Sequence, residues 1–219
     1  MRRDFIIELK ASIRENIGLG MLSREALLAI DDGYFPPHYK SLKGYTPVVG
    51  IVGYRSYIYG VALRFLLVDS MGIESIFLDI YREISGSMRL SISSIVSDNV
   101  VYGGFSVYDP WYISEELEKP VVVVFTHQLD LDRIREALRK HFIDHSERYS
   151  VIDRSYRSSR AIITPRGTVK ILCIGLDWGR CVETIIENQT FHPVPQPLKH
   201  ADLIASAIGR LISSRSSPS

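Results

Sequence analysis

Three aspartates occupy comparable places in the chain: Asp31 closes the apolar run LLAIDD, Asp69 closes YIYGVALRFLLVD, and Asp98 closes RLSISSIVSD. Each run is rich in β-formers, so each acid stands at the end of a strand, where a sheet delivers side chains to a common site. Clustered carboxylates are the hard oxygen ligands that Mg2+ requires, with Mn2+ as a substitute. A cation so held activates water and neutralises the leaving oxygen of a phosphodiester. Asp31 and Asp32 are neighbours that strand alternation turns to opposite faces, so one of them reaches the metal, and Asp31 is preferred. The structural reading of any one acid is that Asp starts turns and caps helices; Asp69, just ahead of a helical pattern, is the most open to it.

Charge adds a second candidate. The net charge of the 219 residues is only +1, yet residues 133–170 hold ten Lys/Arg against four Asp/Glu. Arg154, Arg157 and Arg160, at three-residue spacing with Tyr149 and Tyr156 among them, combine phosphate contact with base stacking in one reading and form a solvated face in the other. Tyr34 and Phe35, followed by Pro36 and Pro37, make a loop close behind Asp31 that serves as a wedge or simply as a turn. Tyr102, Phe105, Tyr108, Trp111 and Tyr112 surround Gly103-Gly104 and suit either a core or a pocket for an extruded base. Of six histidines, His127 follows the central run VVVVF and is the one placed to reach the carboxylates; His141 and His145 lack an HExxH frame. Cys173 and Cys181 form neither CxxC nor CxxxxC, which excludes a zinc knuckle and a thioredoxin-type site and favours a reducing, cytoplasmic setting. No GxGxxG, GxxxxGK[ST] or GxSxG occurs, and no apolar run is long enough to span a membrane.

The elements that position these residues follow from periodicity. Residues 2–17 read as a weakly amphipathic helix. Strands at 27–32, 47–54 and 57–69 follow, the last two joined by Arg55 and Ser56 at hairpin spacing. Ile73, Ile76, Phe77, Ile80 and Ile84 predict a helix over about 72–84. A strand at 89–98, a helix in the second half of SVYDPWYISEELE, a buried strand at 121–125 and an amphipathic helix over LDLDRIREALRKHF come next. The remainder reads as a β region at 149–173, a helix at 177–188, a proline-punctuated stretch and a helix at 198–212, with SSRSSPS (213–219) a disordered tail. Closely joined early strands pair antiparallel and helix-separated strands parallel, so the expected fold is α/β: a ribonuclease H-like mixed sheet with flanking helices, in a single domain over 1–219.

AIDDGYFPP, VDSMGIES, SDNVVYGGFSVYD, EKPVVVVF and LDLDRIREALRKHF together resemble the archaeal endonuclease dU family, a distant relative of endonuclease V, over residues 27–210. VPQPLKHADLIAS is similar to the PEPTR-x-AD stretch that ends endonuclease V domains, with Pro195, Pro197, Ala201 and Asp202 matching and Gln196 departing from Glu. The resemblance implies a ribonuclease H-like fold and Mg2+-dependent hydrolysis of a phosphodiester near a deaminated base, deoxyuridine or inosine. It aligns Asp31 and Asp98 with the family's first- and fourth-strand aspartates, and sets Asp69 where endonuclease V carries Glu. Asp98-Asn99 replaces a usual Asp-Gly, and CIGLD replaces the Gly-His-Arg that supplies an active-site histidine.

The expectation is therefore a metal-dependent endonuclease of nucleic acid, DNA in the first instance, acting in repair. Asp31, Asp69 and Asp98 are its catalytic, metal-binding acids, Asp202 is a fourth ligand, and Arg154, Arg157, Arg160, Tyr34 and Phe35 contact the substrate. The alternative is a catalytically silent nucleic-acid-binding protein of the same fold.

Overall fold

The computed structural model describes residues 26–87 and 91–215. The helix expected at 2–17 and the tail residues 216–219 lie outside that range. β1 (Ala26–Asp32), β2 (Tyr45–Tyr54) and β3 (Tyr57–Leu67) form an antiparallel meander, with the short α1 (Tyr39–Leu42) between β1 and β2. α2 (Ile73–Ser87) then crosses to β4 (Ile92–Asp98), which pairs with β1 in parallel. A small ribbon, β5 (Val101–Tyr102) with β6 (Ser106–Val107), precedes α3 (Pro110–Leu117) and β7 (Val121–Phe125), which runs parallel to β4. The order across this sheet is β3-β2-β1-β4-β7, continued by a hairpin of β9 (Gly167–Ile174) and β8 (Arg160–Thr164). β9 is antiparallel to β7 because it returns from a hairpin rather than from a crossover helix.

α4 (Leu131–His141) and α5 (His145–Ser158) lie between β7 and β8, and α6 (Trp178–Glu187) and α7 (Gln196–Arg215) follow β9. The β region expected at 149–173 is thus half helix. Tyr149, Ile152 and Tyr156 pack inward at helical spacing, a pattern that the interleaved arginines and serines obscure. The helix expected to stop near 212 continues to Arg215, so residues 213–215 of the expected tail are helical.

Alternate residues of β1 serve opposite faces. Leu28 and Ile30 join Phe77, Ile80, Ile95 and Val123 beneath α2, whereas Leu27 and Ala29 join Val96, Val122, Cys181 and Leu198 beneath α6 and α7. Burial on both faces is why β1 and β7 are almost wholly apolar until their last residues. Cys173 of β9 and Cys181 of α6, which the sequence reading set in a reducing environment, are joined in a disulfide. The turn at 175–177 folds α6 back over β9 and brings their Cα atoms to 6.3 Å. Among the described residues no helix is long and apolar enough to cross a membrane.

α7 reaches unusually close to the end of β1. A Cβ on Gly33 would strike the Ala205 carbonyl, and a Cβ on Gly209 would strike the Tyr34 carbonyl. With only hydrogen at both places, Ala201 and Ala205 seat directly on Val49 and Ile51. That contact sets the position of the helix flank carrying Lys199, Asp202, Ser206 and Arg210.

Candidate active site

β1, β4 and β7 all end at the same edge of the sheet, since they are parallel. Their last residues and the polar flank of α7 enclose a cavity of about 550 Å³. Asp31 and Asp32 come from β1, Asp98 from β4, and Thr126 and His127 from just beyond β7. Lys199, Asp202, Ser206 and Arg210 come from α7, and His192 from the proline-rich segment before it.

Several contacts hold the acids in place. Asp31 Oδ1 accepts from the Asp32 amide at 2.8 Å, and Asp32 Oδ2 accepts from the Gly103 amide at 2.8 Å. Lys199 Nζ donates to Asp202 Oδ2 at 2.5 Å, and Ser206 Oγ donates to Asp202 Oδ1 at 3.3 Å. Asn99, beside Asp98, has φ 61°, a left-handed conformation that asparagine tolerates better than most side chains, so the turn keeps a shape suited to glycine.

Convergence of like charges in a partly dry cleft raises their proton affinities. The Asp31 carboxyl is pushed well above the usual range by burial, then by Asp98 and Asp32. Asp32 is pushed up to about 7, chiefly by burial and against the Gly103 amide. Asp98 is pushed up to about 6 by burial, with His127 pulling it down and Asp202 pushing it up. Such a site favours any positive charge that enters it.

The donor set is hard oxygen, as a divalent cation such as Mg2+ prefers. Among the described residues no three His, Cys, Asp or Glu side chains stand as a ready-made cage. Three of the four acids have other partners: Asp31 Oδ1 holds the Asp32 amide, Asp32 holds the Gly103 amide and Asp202 holds Lys199, while Oδ2 of Asp31 accepts no hydrogen bond among the described residues. Mg2+ needs no full protein cage, because it keeps waters and takes one or two carboxylates together with substrate phosphate. The residues therefore fit such a cation, with Asp31 and Asp98 the direct candidates.

Not every expected site residue arrives here. Asp69 lies apart from the other acids: its Oδ1 accepts from the Phe105 amide at 2.8 Å, and it lines a separate cavity with Lys40, Phe105 and Phe142. β2 and β1 lie between β3 and β4, and Asp69 adopts φ 62° beyond the end of β3, with its side chain on the Gly103–Phe105 turn. The arginine group is dispersed. Arg154 pairs with Asp109 at 3.6 Å and lies 3.5 Å above the Trp111 ring, and Arg157 pairs with Asp153 at 2.8 Å. Arg160, on β8 rather than on the helix, lies 5.2 Å from the Trp178 ring of α6, on the opposite side of the sheet from α5. No common surface joins the three.

Tyr34 does reach the cavity rim, with Arg210 at 5.6 Å from its ring; Phe35 is half-buried and does not line the cavity. Of the aromatic group, Tyr102 and Tyr108 are core residues packed on Phe77, so only part of it is free to meet a ligand. Lys199, Ser206, Arg210 and His192 were not singled out in the sequence. The first three share with Asp202 a polar stripe at helical spacing on α7, which was the available signal.

A family model described as endonuclease dU matches residues 24–209. A UPF0215 protein of Thermococcus sibiricus is 29% identical over 183 residues, 83% of this chain and 91% of that protein. Among solved structures, a protein of unknown function from Archaeoglobus fulgidus superposes with TM-score 0.71 at 22% identity, covering 84% of this chain and 98% of that one. Ciona intestinalis endonuclease V, in complex with a 24mer DNA containing an inosine followed by a ribo-adenosine, superposes with TM-score 0.58 at 10% identity, covering 95% and 99%. These similarities reach a fold with a mixed sheet and flanking helices like that of the endonuclease V structures.

Proposed function

We propose that this chain, which belongs to the endonuclease dU family, is a divalent-metal-dependent nuclease that hydrolyses a phosphodiester of DNA near a deaminated base. The observation that carries the reading is the meeting of Asp31, Asp32, Asp98 and Asp202 in one cleft, where burial and mutual repulsion demand a counter-charge. Asp31 and Asp98 would hold the cation, which when bound supplies Lewis acidity at the phosphoryl oxygen. Asp32 fixes the Gly103 turn, and so shapes the edge of the cleft over which the strand passes. Asp202 sets the position of Lys199, whose ammonium and the Arg210 guanidinium offer positive charge to a phosphate beside the acids. His127 stands just beyond the end of β7 in the same cleft and is the residue assigned the role of proton carrier in this reading. Tyr34, at the rim, is placed to touch the incoming strand. Mg2+, or Mn2+ in its place, is the cation that this donor set suits.

The test is incision of an oligonucleotide panel by Asp31→Asn and Asp98→Asn. Each amide keeps the shape and loses the charge, so incision should fall to background while melting temperature is kept or raised. Parental incision by either variant would overturn the assignment. A protein that binds nucleic acid but cuts none of the panel with any divalent ion would support the catalytically silent alternative.

A further inference from the structure

A second cavity, of about 380 Å³, opens on the other side of the Gly103–Phe105 turn. We propose that it seats the altered base, and that Asp69 reads the ring N–H that deamination creates; this rests on the nuclease reading above. Its volume lies within the range of about 300–1,000 Å³ typical of small-ligand sites. Phe105 and Phe142 form one wall, edge to face at 5.7 Å, and Lys40 Nζ stands 5.9 Å from the Phe105 ring centre. Asp69 uses Oδ1 for the Phe105 amide, whereas its Oδ2 accepts no hydrogen bond among the described residues. Lys40 and Lys43 line the same space, and neither is paired with a carboxylate among the described residues. Gly104, at φ 91°, leaves the room Asp69 occupies, since a Cβ there would strike Oδ1.

A carboxylate only accepts and an ammonium only donates. Cytosine and adenine present a ring-nitrogen lone pair beside an amino group. Their deamination products, uracil and hypoxanthine, present a ring N–H beside a carbonyl. Asp69 Oδ2 therefore complements the N–H and a lysine the carbonyl, whereas cytosine and adenine would set a lone pair against the carboxylate and an amino group against the ammonium; thymine and guanine carry the same N–H and carbonyl, so this contact separates the deaminated bases from their parents alone. The Phe105 ring supplies a stacking surface, worth about 1–3 kcal/mol per base elsewhere.

The two cavities are coupled by one short turn. Gly103 N–H is held by Asp32 in the catalytic cleft, and Phe105 N–H is held by Asp69 in the second cavity. Those anchor points are two residues apart, a reach of at most about 7 Å. On this reading the turn lies between the seat of the base and the cleft that takes the scissile phosphate.

Asp69→Asn tests the proposal. Its Oδ1 can still accept from Phe105, but the amide NH2 replaces Oδ2, so an acceptor becomes a donor. Binding of labelled single strands differing only in one central base (uracil, hypoxanthine, cytosine or adenine) is measured by anisotropy in EDTA, and cleavage is measured with Mg2+. The parent protein should favour the two deaminated strands at least tenfold, and Asp69→Asn should bring that ratio to about one or below at an unchanged melting temperature. Lys40→Met, an exposed change that keeps the stem, should weaken the deaminated strands selectively and serves if Asp69→Asn fails to fold. A variant that keeps the parental ratio overturns the proposal, as does one that loses cleavage of every strand alike while binding as before. Selective binding by a parent protein that cuts nothing would support the base seat and overturn the nuclease reading. A parent protein without selectivity in binding overturns the base seat whether or not it cuts.

Discussion

The proton-carrying role proposed for His127 rests on its place. It lies in the cleft with Asp31 and Asp98, close enough to pull down the Asp98 proton affinity that burial raises. Loss of a general acid costs about 10²–10⁴-fold in turnover. His127→Ala should lower turnover in that range with little change in KM, and melting temperature measured on the same variant separates chemistry from packing. Normal turnover per folded molecule would leave water as the proton carrier. Asp69 illustrates the converse: its type and its place after a strand matched Asp31 and Asp98, yet its carboxylate is turned onto the Phe105 amide.

At the scale of elements, α7 completes the cleft and glycine lets it do so. Gly209 lies against the Tyr34 carbonyl, and Gly33 against the Ala205 carbonyl. Gly209→Ala should push the helix away from the end of β1 and cost about 1–3 kcal/mol, as overpacking does. Because the same helix presents Lys199, Asp202 and Arg210, the variant should also lose incision activity at temperatures where it is still folded. Chemical denaturation and incision assayed together check this; full activity with parental stability would mean the helix does not need that approach. The pair β5 and β6 has a comparable task, since it holds the turn whose Gly103 amide binds Asp32.

For the whole molecule, the cleft links stability to pH and, on the proposed function, to metal. Asp31, Asp32 and Asp98 have raised proton affinities in the folded state, so the folded protein binds more protons than the unfolded chain above the ordinary aspartate value of 3.8. Their contribution to stability is fully present below that value and is lost as pH rises through about 6 for Asp98 and about 7 for Asp32. Metal-free protein should therefore melt at a lower temperature at pH 8 than at pH 5, Asp98→Asn should flatten that decline, and Mg2+ should raise the melting temperature more at pH 8 than at pH 5. Thermal melts in EDTA and in Mg2+ at both values measure it. A melting temperature indifferent to Mg2+ at pH 8 would count against metal at this site.

The sequence by itself determined the order of the main strands and helices as far as α4, because apolar periodicity follows from which face each segment buries. Phe77, Ile80 and Ile84 on α2 and the run VVVVF of β7 were legible for that reason. It also singled out Asp31 and Asp98, because an acid ending a doubly buried strand can only emerge at the sheet edge. Local pattern failed at residues 149–158, where serines and arginines mask a helical stripe, and at Cys173 and Cys181, whose approach depends on a helix folding back over its strand. Which carboxylates meet was decided only by tertiary structure. Parallel pairing aligns the ends of β1, β4 and β7, and the glycine contacts bring Asp202 to them, while the path of the chain beyond β3 carries Asp69 to another cavity. Such convergence depends on strand order and helix approach, long-range geometry that the spacing of residues along the chain does not encode.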